Sequence, residues 1–184
     1  APLMWNANYA GTGYGYQTYL KTPLMLSMLG GIVGDEEVQK AMKAYTEAWK
    51  FKHPSPWDYM FFMNNALGKD LEWFWYYWLF TTDSVNGSIV DVKNNGKKSI
   101  VTINQSGQMP SPIVLKVKFK KGGATTTMKN VKMIDETTAI VTFPVDVWFD
   151  GKQTYNAELD FGGQKIENIT LDPYGRFPDK TISD

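Results

Sequence analysis

The sequence predicts an α+β protein in which a small layer of about four helices precedes an antiparallel β-sandwich. Apolar residues recur at helical spacing up to about residue 80, whereas β-branched and polar residues alternate after residue 86. Turns that contain glycine punctuate this second half at short intervals, as is typical of antiparallel sandwiches. The change near Thr81–Gly87 therefore predicts a helical domain over residues 1–82 and an immunoglobulin-like sandwich over residues 83–184.

The helical half contains a start signal for each expected helix. A first helix is expected over Leu20–Val33, where Pro23 is tolerated only in the first turn because it has no backbone N–H. Three acidic residues at 35–37 favour the start of a second helix. Ser55 begins a capping-box-like sequence before a third helix, and Asp70 is expected to cap a fourth.

The second half is expected to form seven or eight strands. Asn95-Gly96 between two β-branched runs is a strong hairpin signal. Along Ile113–Phe119, apolar residues alternate with lysines, which predicts one buried and one solvated face. Val145–Phe149 is expected to be a strand, and Ile166–Leu171 the last one.

Composition excludes several classes of function. The chain has nineteen basic and nineteen acidic residues, so the basic excess of a nucleic-acid-binding protein is lacking. There is no cysteine and only one histidine, His53, so a complete H-E-x-x-H zinc site cannot be built from this sequence. Because His53 lies between two helices, we interpret it as a structural hydrogen-bonding residue. No apolar stretch is long enough to span a bilayer, and the composition is compatible with a periplasmic or secreted protein.

A series of short motifs carries the main indication of function. It comprises a tyrosine-rich segment, two helix starts and an aromatic helix, in the order Tyr14–Gly31, Gly34–Tyr45, Trp49–Asp58 and Gly68–Leu79. In order and spacing these segments resemble the part of the aminopeptidase-N-type zinc metallopeptidases (gluzincins) that follows their H-E-x-x-H helix.

The resemblance covers residues 14–82 closely. It covers residues 86–178 loosely, as the small sandwich domain that often follows in that family.

The resemblance implies roles for two tyrosines. Tyr19 falls on the family's catalytic tyrosine, whose hydroxyl stabilises the oxyanion of the tetrahedral intermediate. Tyr14 matches a second tyrosine that is present in some members. Thr22 stands where the family usually has glycine, and Pro23 follows it, so the backbone at this point is expected to differ.

The resemblance also implies that the chain is the C-terminal fragment of a zinc-dependent metallopeptidase. The family's zinc ligands, its general-base glutamate and its exopeptidase motif have no counterpart in this sequence. We therefore expect no cofactor in the chain itself and zinc in the full-length parent. The implied partners are the N-terminal catalytic portion and a peptide substrate. No motif in the sequence indicates the substrate side-chain preference or the oligomeric state. Nor does any motif distinguish an exopeptidase from an endopeptidase.

A second function remains open. The sandwich and the aromatic helix are also compatible with a non-catalytic binding or scaffold module that contacts glycans or a protein partner. Aromatic residues such as those of Trp73–Trp78 can stack on sugars, although at helical spacing they usually form a core. The two functions are separated by whether the parent gene encodes an H-E-x-x-H sequence upstream.

Overall fold

The computed structural model describes residues 2–180 of the 184-residue chain. The chain forms two compact units, Ala1–Asp83 and Ser84–Asp184. The first unit contains four helical segments and the second contains seven strands in two antiparallel sheets, which confirms the predicted α+β class and the sandwich. Among the described residues, no helix has the length and apolar character needed to cross a membrane.

The helical unit begins with a 3₁₀ turn, Ala7–Tyr9. The first helical segment is continuous and comprises α1 (Gly13–Tyr16), a π-helical turn (Gln17–Lys21) and α2 (Thr22–Val33). The next two segments are α3 (Asp35–Trp49) and α4 (Pro56–Leu67). The fourth comprises α5 (Glu72–Trp75) and a second π-helical turn (Tyr76–Phe80).

Helix α4 begins as its sequence predicts. The Ser55 hydroxyl oxygen accepts a hydrogen bond from the Asp58 amide, and the Asp58 carboxylate accepts one from the Ser55 amide. This capping box satisfies two backbone donors that have no partner within the helix. The hydrogen bonds from Ser55 also hold the pKa of Asp58 below its usual value. The helix ends at Gly68, whose φ of 59° is a left-handed conformation that favours glycine.

Large sulfur-containing and aromatic side chains form the core of the helical unit. The fully buried members come from α2, α4 and the fourth segment, and they include Met28, Leu29, Met63, Leu71 and Phe74. Two indole N–H groups also find partners there. Trp78 donates to the Met28 sulfur at 3.3 Å, and Trp75 donates to the Asn64 side-chain oxygen at 2.7 Å. Burial of each indole therefore does not leave its polar atom without a hydrogen bond.

The sandwich unit consists of a three-stranded and a four-stranded sheet. Its strands are β1 (Gly87–Asn95), β2 (Lys98–Gln105), β3 (Ile113–Phe119), β4 (Val131–Asp135), β5 (Thr138–Phe143), β6 (Thr154–Asp160) and β7 (Ile166–Leu171). The strand orders are β1-β2-β6 and β4-β5-β3-β7, with all neighbours antiparallel. The predicted hairpin joins β1 to β2, since Asn95 pairs with Lys98 and Gly96 has a φ of 65°.

Alternating side chains of both sheets form the sandwich core. In β2, every second residue is buried, including Val101 and Ile103, while β3 buries Leu115 and Val117. The rings of Phe119 and Phe161 meet edge to face at 4.8 Å between centroids. The lysines at 116 and 118 remain exposed, as the alternation in β3 predicts.

The prediction of a strand over Val145–Phe149 is wrong, because residues Val145–Trp148 form a 3₁₀ turn. Both Val145 and Trp148 are buried, and a separation of three residues places them on the same side of such a turn. The Trp148 indole N–H also donates to the Ser111 carbonyl at 2.9 Å. The 3₁₀ turn thus buries Trp148 while its indole N–H keeps a hydrogen-bond partner. This burial decides the local conformation, although the β-branched residues of the segment favour a strand.

One loop of the sandwich requires glycine because two backbone segments approach each other closely. The buried Gln105 side chain accepts hydrogen bonds from the amides of Asn86 and Gly107. A Cβ atom on Gly107 would lie 2.3 Å from the Ser84 carbonyl oxygen and 2.6 Å from the Asn86 nitrogen. Because both atoms belong to the backbone, no side chain can move aside to make room.

Gly107→Ala should therefore destabilise the sandwich, by about 1–3 kcal/mol as for other overpacked sites. Trp148 is the sandwich's only tryptophan, so its indole N–H resonance reports unfolding of this unit in a thermal NMR series. Gly15→Ala is the matched control, since an added Cβ there meets nothing within 4 Å. Equal melting of the two variants would contradict the close approach at Gly107.

Candidate functional site

Tyr19 lies at the centre of the π-helical turn Gln17–Lys21, immediately before α2. Pro23 explains why the helix widens at this point. A proline cannot donate to the carbonyl four residues earlier, here that of Tyr19, and its ring collides with that carbonyl in a regular α-helix. The Thr22 hydroxyl donates to the Gln17 carbonyl at 3.0 Å, which closes the wider turn. Thr22 and Pro23 are the residues at which the sequence predicts a backbone different from that of the gluzincins it resembles.

Both predicted tyrosines are accessible to solvent. Tyr19 exposes 72% of its surface and Tyr14 exposes 52%. Within residues 2–180, neither hydroxyl has a hydrogen-bond partner among the interactions of the structure. Each phenol hydroxyl can therefore donate a hydrogen bond to an acceptor that does not belong to residues 2–180.

A cleft of about 580 Å³ lies in the helical unit beside the first helical segment. Tyr14 lies in its wall, and Tyr19 is not among the residues that line it. The lining residues are all uncharged: Leu3, Met4, Trp5, Ala7, Ala10, Tyr14, Gln17, Thr18, Thr22, Met25, Leu26, Met42, Tyr45, Pro54, Ser55, Pro56, Tyr59 and Leu79. The structure therefore places the two predicted site residues in different surroundings.

Tyr59 is the most perturbed titratable group of this cleft. Its ring packs edge to face against Tyr45 at 5.0 Å and against Trp75 at 5.8 Å. Its hydroxyl donates to the Met42 sulfur at 3.3 Å, which is a weak acceptor. Burial, with a smaller contribution from Tyr45, raises the pKa of Tyr59 to about 12. In the sequence, Tyr59 is one member of an apolar stripe at helical spacing and is not among the predicted site residues. Helical spacing indicates the stripe, but it does not indicate the cleft between helices.

The described residues do not offer a zinc site. Over residues 2–180, no group of three or more His, Cys, Asp or Glu side chains is placed to hold a metal ion. His53 lies exposed between α3 and α4. A catalytic zinc ion needs three protein ligands at one point, and these side chains do not provide them.

No protein-family model matches the sequence. No curated protein matches it either. Among solved structures, the chain is similar to the aminopeptidase A of Legionella pneumophila in complex with aspartic acid. That match has a TM-score of 0.53 and 12% sequence identity, and it covers 83% of this chain but 16% of that protein. At this identity the likeness shows a shared fold.

A second solved structure is the chitin-binding domain of a chitinase from Pyrococcus furiosus. That match covers 52% of this chain and 98% of that domain, with 18% identity and a TM-score of 0.31. At this TM-score the likeness carries no structural argument.

The pKa of Tyr59 makes the stability of the helical unit depend on pH in the alkaline range. The pKa of Tyr59 in the folded chain, about 12, lies above the usual value of 10.0. The contribution of the buried, protonated Tyr59 to the free energy of unfolding is therefore complete below pH 10. It is lost as pH rises from 10 towards 12, because the unfolded chain releases this proton first. Tyr59→Phe should therefore reduce the alkaline loss of stability in urea unfolding experiments.

Tyr76→Phe is the control for this experiment, because Tyr76 is an exposed tyrosine of the same unit. It should leave the alkaline slope of the unfolding free energy unchanged. If both variants follow the wild-type slope between pH 9 and pH 11.5, burial of Tyr59 does not perturb its ionisation.

Proposed function

We propose that this chain is the C-terminal part of a zinc-dependent, aminopeptidase-like metallopeptidase and that it supplies the tyrosine that stabilises the oxyanion. Two observations of different kinds support the proposal. The motifs of residues 14–82 follow the order of the gluzincin family. The fold is also similar to a segment of an aminopeptidase over 83% of the chain. Since the chain spans only 16% of that protein, peptide hydrolysis belongs to the proposed whole protein.

The exposed Tyr19 phenol carries the proposal. When a nucleophile attacks a peptide carbonyl, negative charge develops on the oxygen, and a fixed hydrogen-bond donor lowers the energy of that state. A phenol suits this task because its ordinary pKa of about 10 keeps it protonated at neutral pH. Tyr19 projects from a turn held by Thr22 and Pro23, and its hydroxyl is not occupied by another described residue.

Tyr14 is the second tyrosine in this proposal and has the smaller role. It is half exposed and lies in the wall of the uncharged cleft. A tyrosine in that position can orient an apolar part of the substrate by packing. We therefore assign the oxyanion to Tyr19 and give Tyr14 an auxiliary contact with the substrate.

The zinc ligands and the general base must come from a catalytic portion outside residues 2–180. In the proposed protein, this portion is the partner of the helical unit and the peptide is its substrate. Accordingly, the chain alone should not hydrolyse peptides. The presence of an H-E-x-x-H sequence upstream in the parent gene is the most direct discriminator from the alternative, a binding or scaffold module.

The first prediction of this proposal concerns Tyr19 in the zinc-loaded parent protein. Tyr19→Phe keeps the ring but removes the donor, so folding and zinc content should be retained. The loss should fall on kcat, by about 10²–10³, as for other single oxyanion donors. KM should change little, because the ground-state carbonyl gains less from the donor than the transition state does.

Tyr14→Phe is the matched comparison, since it removes the same atom from a tyrosine five residues earlier. It should cost clearly less in kcat than Tyr19→Phe. The role of Tyr19 would be refuted if its variant kept more than about half of the wild-type kcat. A loss that only follows lost zinc or lost stability would equally identify Tyr19 as a packing residue.

A second prediction applies to the chain by itself. After dialysis against a mild chelator it should retain far less than one zinc ion per chain, as measured by atomic absorption. It should also leave aminoacyl-chromophore substrates unhydrolysed. Stoichiometric zinc after this treatment would mean that the chain contains a metal site of its own.

A further inference from the structure

The two π-helical turns of the helical unit are joined by one side chain. Lys21 is the last residue of the turn that carries Tyr19, and its ammonium donates to the Thr81 carbonyl at 3.2 Å. Thr81 directly follows the second π-helical turn, Tyr76–Phe80. The contact therefore connects the Tyr19 turn to a segment sixty residues later.

The acceptor side of this contact is itself held in place. The Thr81 hydroxyl donates to the Tyr77 carbonyl at 2.8 Å and accepts from the Asp83 amide at 3.1 Å. Both bonds fix the backbone at the end of the second π-helical turn. The Thr81 carbonyl is thus a defined point against which the ammonium of Lys21 can be anchored.

Lys21 is also partly withdrawn from water, which distinguishes it from the surface lysines. Burial lowers its pKa. A partly desolvated ammonium needs a hydrogen-bond acceptor, and the Thr81 carbonyl supplies one. Lys43 on α3, by comparison, is exposed and has no described partner.

We propose that Lys21 is a positioning residue that holds the Tyr19 turn in its active orientation through the Thr81 carbonyl. This inference rests on the proposed function of Tyr19. In the widened turn, the Thr22 amide donates to the Gln17 carbonyl, five residues earlier, instead of making the regular α-helical bond. Thr22 closes the turn locally, whereas Lys21 ties it to the rest of the unit. Oxyanion stabilisation depends on donor placement to within about an ångström, and a loose turn would lower kcat without preventing folding.

The test is a double-mutant cycle in the zinc-loaded parent protein. Lys21→Met keeps much of the side-chain length and removes the donor, and we expect kcat to fall about 5- to 30-fold with KM little changed. On the Tyr19→Phe background the same substitution should cost less than 2-fold, because there is no phenol left to position. Lys21→Arg keeps a donor and should recover most of the wild-type kcat. Lys43→Met is the control and should leave kcat unchanged.

A measurement on the chain itself makes the test independent of activity. Amide hydrogen exchange of the non-proline residues in 18–24 should be faster in Lys21→Met than in the wild type or in Lys43→Met. Exchange elsewhere in the helical unit should be preserved, which separates local loosening from unfolding.

The possible failures are distinguishable. If Tyr19→Phe retains wild-type kcat, both the proposed function and this inference are overturned. If Tyr19→Phe is impaired but the losses from Tyr19 and Lys21 multiply, Lys21 acts independently of Tyr19 and only the inference is overturned. Unchanged exchange over residues 18–24 in Lys21→Met would also overturn the inference.

Discussion

The proline at position 23 is the constraint on which the candidate site depends. It removes one backbone donor and blocks the carbonyl of residue 19 from its regular helical partner. The chain responds by widening into a π-helical turn rather than by ending the helix, so Gly13–Val33 stays continuous. Tyr19 is carried on the part of the backbone that is displaced. A tyrosine on a regular α-helix would project in a different direction.

Two kinds of surroundings lie beside this turn: side chains that hydrogen-bond to backbone carbonyls, and an uncharged cleft. Thr22 and Lys21 use hydrogen bonds to carbonyl oxygens to fix the turn. The cleft nearby contains no charged side chain, and its Tyr59 hydroxyl has only a sulfur as its acceptor. Such a lining offers no opposite charge to an ionised group, so it favours neutral groups.

Local signals predicted much of the fold. The capping box at Ser55 and the hairpin at Asn95-Gly96 depend on neighbouring residues alone, and both are present in the structure. The predicted strand Val145–Phe149 is wrong because Val145–Trp148 form a 3₁₀ turn in which the buried Trp148 indole donates to an acceptor 37 residues away, the Ser111 carbonyl. Propensity is a weak guide where a distant contact decides the conformation.

The candidate site was predictable to a smaller degree. The motif resemblance singled out Tyr19 and Tyr14, but the functions assigned to them stay predictions. The sequence also indicated that Pro23 would disturb the helix, without indicating a π-helical turn. The cleft and the Lys21 contact join residues from several helices, and only the tertiary structure brings these together. A linear pattern contains no information on which helices become neighbours.

The order of the strands has a consequence for biosynthesis. Helix α2 packs on α3 and α3 packs on α4, whereas β2 lies between β1 and β6. Local contacts form quickly and distant ones slowly. On the ribosome, the β1–β2 hairpin is complete when Gln105 emerges, but β6 begins only at Thr154. At roughly 5–20 residues per second, the edge of β2 then waits about 3–10 s for its partner strand. Until β6 emerges, this edge is open to pairing with another strand.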